Sequence, residues 1–398
     1  MSKNVMSAEE SELFRARCRD FLSMHAIGSS PFSIEDARAF LAASSEAGLA
    51  GIPYAVEYGG AGLTTAHDKI WREERAAFPQ VDRMFIISHG MCLPMINEYG
   101  SEDQKRAFQA DMIAGRTLWC QMFSEPGAGS DVASLQASAI RDGDEWILNG
   151  QKIWTTFAHL SDYGLIVLRT DVNLSKHAGI SMFILDMRLP GVEIRPIKQI
   201  DGGRNFNEVF LTDVRIPATR LVGNLNEGWR LATSMLMYER VAIGSGGTDQ
   251  VVQPIFDHLV DIATANGTIG KPLVRDQITR MYILETCKSL VALRTRAELK
   301  AGKTPGPGGS LGKLLGSKIS RQFRNIAQNI AGPSSTAWDE NEATRGQLQL
   351  EVLASFQNGI AGGTDEIQRN IIGERVLGLP REPALDRDTP FRELRVNT

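Results

Sequence analysis

Cysteine, long apolar runs and clustered basic residues are all scarce in this chain, and each shortage removes a class of function. The four cysteines, Cys18, Cys92, Cys120 and Cys287, lie too far apart for the close spacings of a metal site or a thiol redox pair. They read as core or surface thiols of a reducing compartment. No stretch approaches the ~18 consecutive apolar residues of a membrane span. No basic run of five or more residues occurs and the formal charge is only −4, which suggests neither nucleic acid nor a membrane as partner. The segment MSKNVMSAEESELF lacks the apolar stretch of a secretory signal and is too acidic for a transit peptide, so a cytoplasmic location is expected. His89 and His159 fall near the ends of expected elements without a second His or Cys at ligand spacing, and they read as structural, with no metal. No internal repeat is evident.

What remains is an ordinary globular composition, with 42% hydrophobic and 23% charged residues over 398 positions, enough for two or three domains. Apolar residues recur at three and four in Phe14, Cys18, Phe21, Leu22 and in Phe40, Leu41, Ser44, Leu49, which predicts a helical first part. From about Thr117 to Val222 the pattern changes to short Val-, Ile-, Phe- and Trp-rich runs. They are bounded by Asp142-Gly143, Asn149-Gly150, Pro190-Gly191 and Gly202-Gly203, so an antiparallel β domain is expected. Asn149-Gly150, between EWIL and QKIW, reads as a type I′ hairpin turn. Helical periodicity returns at Gly228, is interrupted near Gly302 to Gly309 and at Gly332-Pro333, and predicts a bundle of four or five helices. The fold class is therefore α+β, divided into a helical part (1–118), a β part (119–225) and a helical bundle (226–398). The tail after Leu379 is Pro-rich and charged, and is expected on the surface or against a neighbouring subunit.

The tract from Glu125 to Asp131, EPGAGSD, followed by QKIWTT from Gln151 to Thr156, carries the chemistry. Gly127 and Gly129 let the backbone turn and approach a bulky anionic ligand, while Ser124, Ser130 and Thr156 set hydroxyls beside it. Trp154 and Thr156, two residues apart on a strand, share a face. This combination describes a seat for a large, flat, phosphorylated cofactor.

The tract resembles the flavin site of the acyl-CoA dehydrogenase family, and the resemblance covers most of the chain. Ala47 to Leu63 and Gly100 to Gly115 look like the family's N-terminal domain; Asn207 to Pro217, Gly228-Trp229 and GGTDEIQRNIIGERVLG from Gly362 to Gly378 look like its middle and C-terminal parts. The resemblance implies a helical, β, helical domain order and FAD as cofactor. Trp154 would stack on the isoalloxazine, Thr156 would bond near its N5, Phe123 and Ser124 would line the pyrimidine side, and Gly129 and Ser130 would meet the diphosphate. Thr268, Gln328 and Gly332, with Thr364 and Glu366 near the adenine, would complete the flavin site of a second subunit. One departure stands out: where the family usually has a diphosphate-binding arginine, this chain has Asn266.

The family must also supply a carboxylate to remove an α proton. Most members carry it in a Tyr-Glu-Gly-Thr tract, which here reads Ala361-Gly362-Gly363-Thr364 and has no carboxylate. A minority carries the glutamate on the first helix after the β domain, where this chain has Tyr238-Glu239-Arg240. Read independently, Ala232, Met235, Leu236, Ala242, Ile243 and Gly246 form one apolar stripe with Glu239 at its centre. A carboxylate so placed is costly to bury ionised and is expected to have a raised pKa suited to general-base work. Gly362 would still offer its N–H to the thioester carbonyl, and Gly244, Gly246 and Gly247 would allow close approach of substrate or backbone. Arg240, with Tyr238 and Ser130, is placed on the substrate side.

The expected function is FAD-dependent dehydrogenation of an acyl-CoA to the 2,3-enoyl-CoA, with Glu239 as base. Electrons would leave to an electron-transferring flavoprotein, from a homodimer or homotetramer. Two alternatives stand beside it: a flavoprotein subunit that needs a different homologous chain in a hetero-oligomer, and a relative doing non-dehydrogenating chemistry on a CoA thioester. The acidic stretch Asp339 to Glu342 reads as an exposed loop.

Overall fold

The computed structural model describes residues 6–26, 28, 32–242, 255–300, 308–337, 343–381, 383 and 388–394. The helical first part comprises α1 (Ala8–His25), α2 (Ile34–Glu46), α3 (Thr65–Arg75), α4 (Leu93–Tyr99) and α5 (Glu102–Ile113). Three of these begin on a serine: the side chains of Ser7, Ser33 and Ser101 accept from the third helical N–H, and Glu10, Asp36 and Gln104 reach back to the cap. The expected stripe residues Phe14, Cys18, Phe21, Leu22, Phe40 and Leu41 share one core with Ile70 and Trp71 of α3. One irregular turn, a π-helical stretch over Ser88–Cys92, runs into α4.

Eight strands follow: β1 (Trp119–Met122), β2 (Ser138–Asp142), β3 (Glu145–Thr156), β4 (Tyr163–Arg169), β5 (Ile180–Asp186), β6 (Val192–Pro196), β7 (Phe206–Pro217) and β8 (Leu221–Val222). They form one sheet in the order β6-β7-β3-β2-β4-β5-β8, with β1 on β4. Pairing is antiparallel except for β1 with β4 and β2 with β4. β4 is buried on both faces, as its uninterrupted Leu165-Ile166-Val167-Leu168 run requires. Leu165 and Val167 join a core with α4, whereas Ile166 and Leu168 join a second core inside the sheet.

The expected hairpin at Asn149-Gly150 does not exist. β3 runs straight through it, and the hairpin is one motif earlier, where Asp142 pairs with Glu145 across Gly143 (φ 56°) and Asp144. Asn149 instead faces a bulge of β7: its side chain donates to Asp213 Oδ1 (3.0 Å) and accepts from the Asp213 N–H (2.9 Å), holding Asp213 at φ 49°. Gly150 is needed for a different reason, since a Cβ there would lie 2.5 Å from Ala137 Cβ. Local turn chemistry was outweighed by a packing contact the sequence does not display.

The last part holds α6 (Gly228–Ala242), α7 (Ile255–Ala265), α8 (Pro272–Lys300), α9 (Gly308–Ala331), α10 (Ala343–Ala354) and α11 (Asp365–Arg375), six helices among the described residues where four or five were expected. Leu259, Ile278, Met281, Ile319, Phe323 and Ala327 build the bundle core. α6 is the exception. Its Leu231, Ala232 and Met235 pack into the core shared by α4 and β4, each large side chain contributing about 1.5–3 kcal/mol by burial, and this fixes the helix that carries Glu239. Residues 388–394 fold back on the sheet of the same chain, with Phe391 donating its N–H to Leu174 O (2.9 Å) and lying 3.7 Å from the Arg169 guanidinium.

Candidate functional site

The turn after β1 is fastened from below. Glu125 and Ala128 exchange backbone hydrogen bonds (3.1 and 3.0 Å), and the Glu125 carboxylate accepts from the N–H groups of Gln136 (2.7 Å) and Ala137 (3.1 Å) and from Lys152 Nζ (2.7 Å). Lys152 is fully buried and also donates to Phe123 O (3.0 Å). Burial pushes the Lys152 pKa down, against the opposing pull of Glu125. This pair was missed in the sequence, although a signal was present: Trp146, Leu148 and Lys152 share the inward parity of β3.

Neither Gly127 nor Gly129 has a positive φ, so the backbone angles of the turn do not themselves call for glycine. Nothing lies within 4 Å of where a Gly129 Cβ would be, so this glycine leaves open space above the turn. Ser130 is exposed, and half-buried Ser124 accepts from the Ile153 N–H (2.9 Å). The Phe123 ring belongs to the core, and its carbonyl accepts from buried Lys152.

Parity would also send Trp154 inward. It is a bulge that turns the ring out: Lys152 pairs with Val209 and Thr155 with Asn207, so Ile153 and Trp154 together oppose Glu208. Trp154 takes φ 61°, is 57% exposed and meets Phe206 edge-on at 6.1 Å. Thr155 is buried and Thr156 half-buried. Trp154 and Thr156 thus both avoid the interior, through a bulge rather than a straight strand. A tryptophan held in the left-handed region and bared to solvent is strained and wet together, a pattern concentrated at functional sites.

Facing elements of the bundle bring Glu239 and Gly362 together. Half-buried Glu239 places Oε1 3.7 Å from the point a Cβ on Gly362 would occupy, and Lys313 Cε lies 3.6 Å from the same point. Lys313 donates to Asn358 O (2.5 Å), and burial lowers its pKa while Asp365 and Glu239 act the other way. Gly362 has φ 67° and gives its carbonyl to Gln368 Nε2 (3.1 Å). Its N–H donates to nothing among the described residues. The segment is anchored by Asp365, which accepts from Ser317 Oγ (3.1 Å) and from Arg321, both on α9. Burial works against the Asp365 carboxylate, but these partners hold its pKa below the usual range. Tyr238 donates to Glu98 (2.5 Å). The Arg240 side chain and Ile243, Gly244, Gly246, Gly247 and 339–342 lie outside the described residues.

The remaining expected flavin contacts fall in two groups. Thr268 follows α7, Gln328 lies on α9 and Gly332 (φ 63°) ends that helix. Asn266, in place of an arginine, donates its amide to Ile330 O (3.3 Å) and so caps α9. Thr364 caps α11 by accepting from the Ile367 N–H (3.2 Å), and exposed Glu366 pairs with Arg369 (3.2 Å). Arg321, which touches the neighbouring Asp365, is about 10 Å along α9 from Gln328. His159 meets Asn207 Oδ1 (3.0 Å), and no cluster of metal-ligand type occurs among the described residues. Cys18, Cys92 and Cys120 are buried and Cys287 exposed, all four unpaired. No helix of the described residues is long and apolar enough to cross a membrane.

Family models of the acyl-CoA dehydrogenase N-terminal, middle and C-terminal domains match residues 8–116, 120–214 and 226–377. The chain belongs to the acyl-CoA dehydrogenase family. It is 37% identical to acyl-CoA dehydrogenase IpdE1 of Mycobacterium tuberculosis, over 88% of this chain and 90% of that protein. Among solved structures it resembles the ChsE4-ChsE5 complex of the same organism, with a TM-score of 0.76, 27% identity and coverage of 96% and 100% of the two chains. A steroid ACAD, Tcur3481-Tcur3483, is similar at TM-score 0.76 and 26% identity, over 94% of this chain and 99% of that one. The protein is therefore an oxidoreductase of acyl-CoA metabolism with a helical, β, helical architecture.

Proposed function

We propose that the protein dehydrogenates an acyl-CoA thioester between C2 and C3, with Glu239 taking the C2 proton. The observation that carries this is the 3.7 Å between Glu239 Oε1 and the position of an absent Gly362 side chain. A carboxylate on α6 thus comes close to the position from which most of the family would present its base, which supports this reading. Gly362, with its uncommitted N–H, is a donor for the thioester carbonyl, which acidifies the C2 proton. The residues present fit FAD: open space above Gly129, a bared Trp154 ring and a hydroxyl at Thr156. FAD, when bound, supplies the acceptor for the hydride from C3.

In this reading Trp154 and Thr156 orient the flavin against the substrate, Phe123 and Ser124 border its pyrimidine edge, and Gly129 and Ser130 admit the diphosphate. Ser130, Tyr238 and Arg240 flank the thioester and its CoA. Thr268, Gln328, Gly332, Thr364 and Glu366 serve the flavin of a neighbouring subunit. The domain division 1–118, 119–225 and 226–398 belongs to the same proposal. So do an electron-transferring flavoprotein as acceptor and a cytoplasmic setting, which the four unpaired cysteines support.

A specific observation favours a second assembly. Asn266 spends its amide on α9 and brings no cation to a diphosphate. The similar ChsE4-ChsE5 structure is of a complex between two named chains. Leu273, Tyr282, Ile283, Leu290 and Leu293 of α8 are all exposed, leaving apolar surface for a partner. A homologous chain that completes the flavin site fits these facts, beside a homodimer or homotetramer. The test is to purify the chain alone and co-expressed with a homologous chain, measure FAD per chain, and follow anaerobic flavin bleaching by a panel of acyl-CoA esters. Full flavin and bleaching by the lone chain support the homo-oligomer; both only on co-expression support the hetero-oligomer. Flavin-replete protein bleached by no ester contradicts the dehydrogenase reading.

A further inference from the structure

Arg169, the last residue of β4, is a cation buried without a counter-ion. It is 2% exposed and shares the parity of Leu165 and Val167, so it points into the same core as they do. Its guanidinium donates to Ala133 O (2.6 Å) and Leu135 O (3.3 Å), just past the Gly-rich turn, and to Lys176 O (2.7 Å). No carboxylate of the described residues pairs with it, and its Nε has no partner among them. Burial pushes its pKa down to about 10, with the field of Glu125 acting the other way. A charge so placed is costly unless something offsets the lost water.

The offset comes from the chain's own C-terminal segment. The Phe391 ring covers the guanidinium, with Cζ 3.7 Å from the ring centroid, and a ring face attracts a cation more strongly away from water. Phe391 is delivered by backbone pairing to the loop 171–176. Ser175 bridges Pro390, the N–H groups of Phe391 and Arg392 donate to Leu174 O (2.9 Å) and Val172 O (3.0 Å), and the Arg392 side chain donates to Asn173 Oδ1 (2.8 Å). The same loop reaches the Gly-rich turn by a second route. Lys176 Nζ donates to Asp131 Oδ2 (3.1 Å), which also accepts from Ser134 Oγ (2.5 Å), and Asp131 directly follows Ser130. Neither route is needed to hold β4, which pairs with β5 along its whole length from Tyr163 to Arg169.

We propose that Phe391 and Arg169 are positioning residues for the flavin: through them the C-terminal segment clasps the Gly-rich turn from behind and holds Gly129 and Ser130 in the shape that retains the diphosphate. The proposal rests on the FAD reading above. Asn266 brings no cation to that diphosphate, so a turn made rigid before binding is this chain's other means of keeping its cofactor. Retention of FAD then depends on an aromatic ring at position 391, outside the seat itself.

The test measures FAD release, by the gain in flavin fluorescence on dilution, from the full chain loaded alone or with whichever homologous chain loads it. Four proteins are compared: the natural one, Phe391→Leu, Phe391→Tyr and Phe14→Leu. Leucine at 391 keeps an apolar cover without a ring, tyrosine keeps the ring, and Phe14→Leu takes a ring from the α1 core to show what lost stability alone does. Phe391→Leu is expected to release FAD about 3- to 30-fold faster than the natural protein, the span of a cation–π contact from exposed to desolvated, and Phe391→Tyr to stay within about 2-fold of it. Release from Phe391→Leu no faster than from Phe14→Leu, or release from Phe391→Tyr as fast as from Phe391→Leu, would overturn the proposal. Natural protein that takes up FAD while every variant releases it at one rate ends only the clasp, whereas natural protein that takes up no FAD in either preparation ends the FAD reading as well.

Discussion

In the strand wall of the proposed site a lysine and a glutamate are buried to hold one turn, while in its helix wall the carboxylate proposed as base is half-buried beside a glycine. The strand wall is over-determined. Glu125 has three donors, Lys152 has two acceptors, and a bulge locked by the Asn207 amide bond to Thr155 O (2.9 Å) sets Trp154 outward. The helix wall is sparse: Gly362 has an unused N–H and no side chain, and Glu239 fills the space. The difference shows which features can migrate. A seat for a rigid ring needs many fixed backbone angles at once, so its residues stay together in sequence. A proton acceptor needs only to reach one point, and either α6 or the loop before α11 can supply it.

The comparison can be broken most severely at Lys152. Lys152→Met strands a buried carboxylate and is expected to cost about 3–5 kcal/mol of unfolding free energy in a denaturant titration. Adding Glu125→Gln should recover part of that loss. A Lys152→Met protein of unchanged stability would show that the strand wall is not held this way.

Asn266→Arg sharpens the contrast by restoring a cation to the expected diphosphate contact. Flavin affinity, read by fluorescence, should rise about 10- to 100-fold, the worth of a charged hydrogen bond, despite loss of the α9 cap. No change would remove Asn266 from the flavin site.

Asp365→Asn tests the anchor of the helix wall and should cost about 1–2 kcal/mol near neutral pH, a modest figure because Arg321 is 42% exposed. The sign follows from the lowered native pKa: the contribution is full above the unfolded value near 4 and fades as pH falls through the native value. Stability of the two proteins should therefore converge in acid. A gap that persists at pH 2 would show that the effect is not electrostatic.

Domain order and the helical stripes were legible because each depends on residue type at fixed spacing, or on motif resemblance. The Asn149-Gly150 hairpin was misread because the dipeptide's turn preference is local, while the cross-strand grip of Asn149 on Asp213 and the crowding of Gly150 by Ala137 are not. Trp154 turns outward by an unforeseen route, since a bulge depends on the register of β7 more than fifty residues away in the chain. Lys152 was hidden by its chemistry: a lysine in a strand reads as solvent-facing unless parity is followed strictly.

The central claim, that Glu239 is the base in the space Gly362 leaves open, is tested most directly by anaerobic flavin bleaching of Glu239→Gln and of the double variant Glu239→Gln with Gly362→Glu. Glu239→Gln should retain flavin absorbance and bleach about 10²- to 10⁴-fold more slowly, and the double variant should recover part of the rate by presenting a carboxylate from the other side. Bleaching of Glu239→Gln at the natural rate would contradict the account.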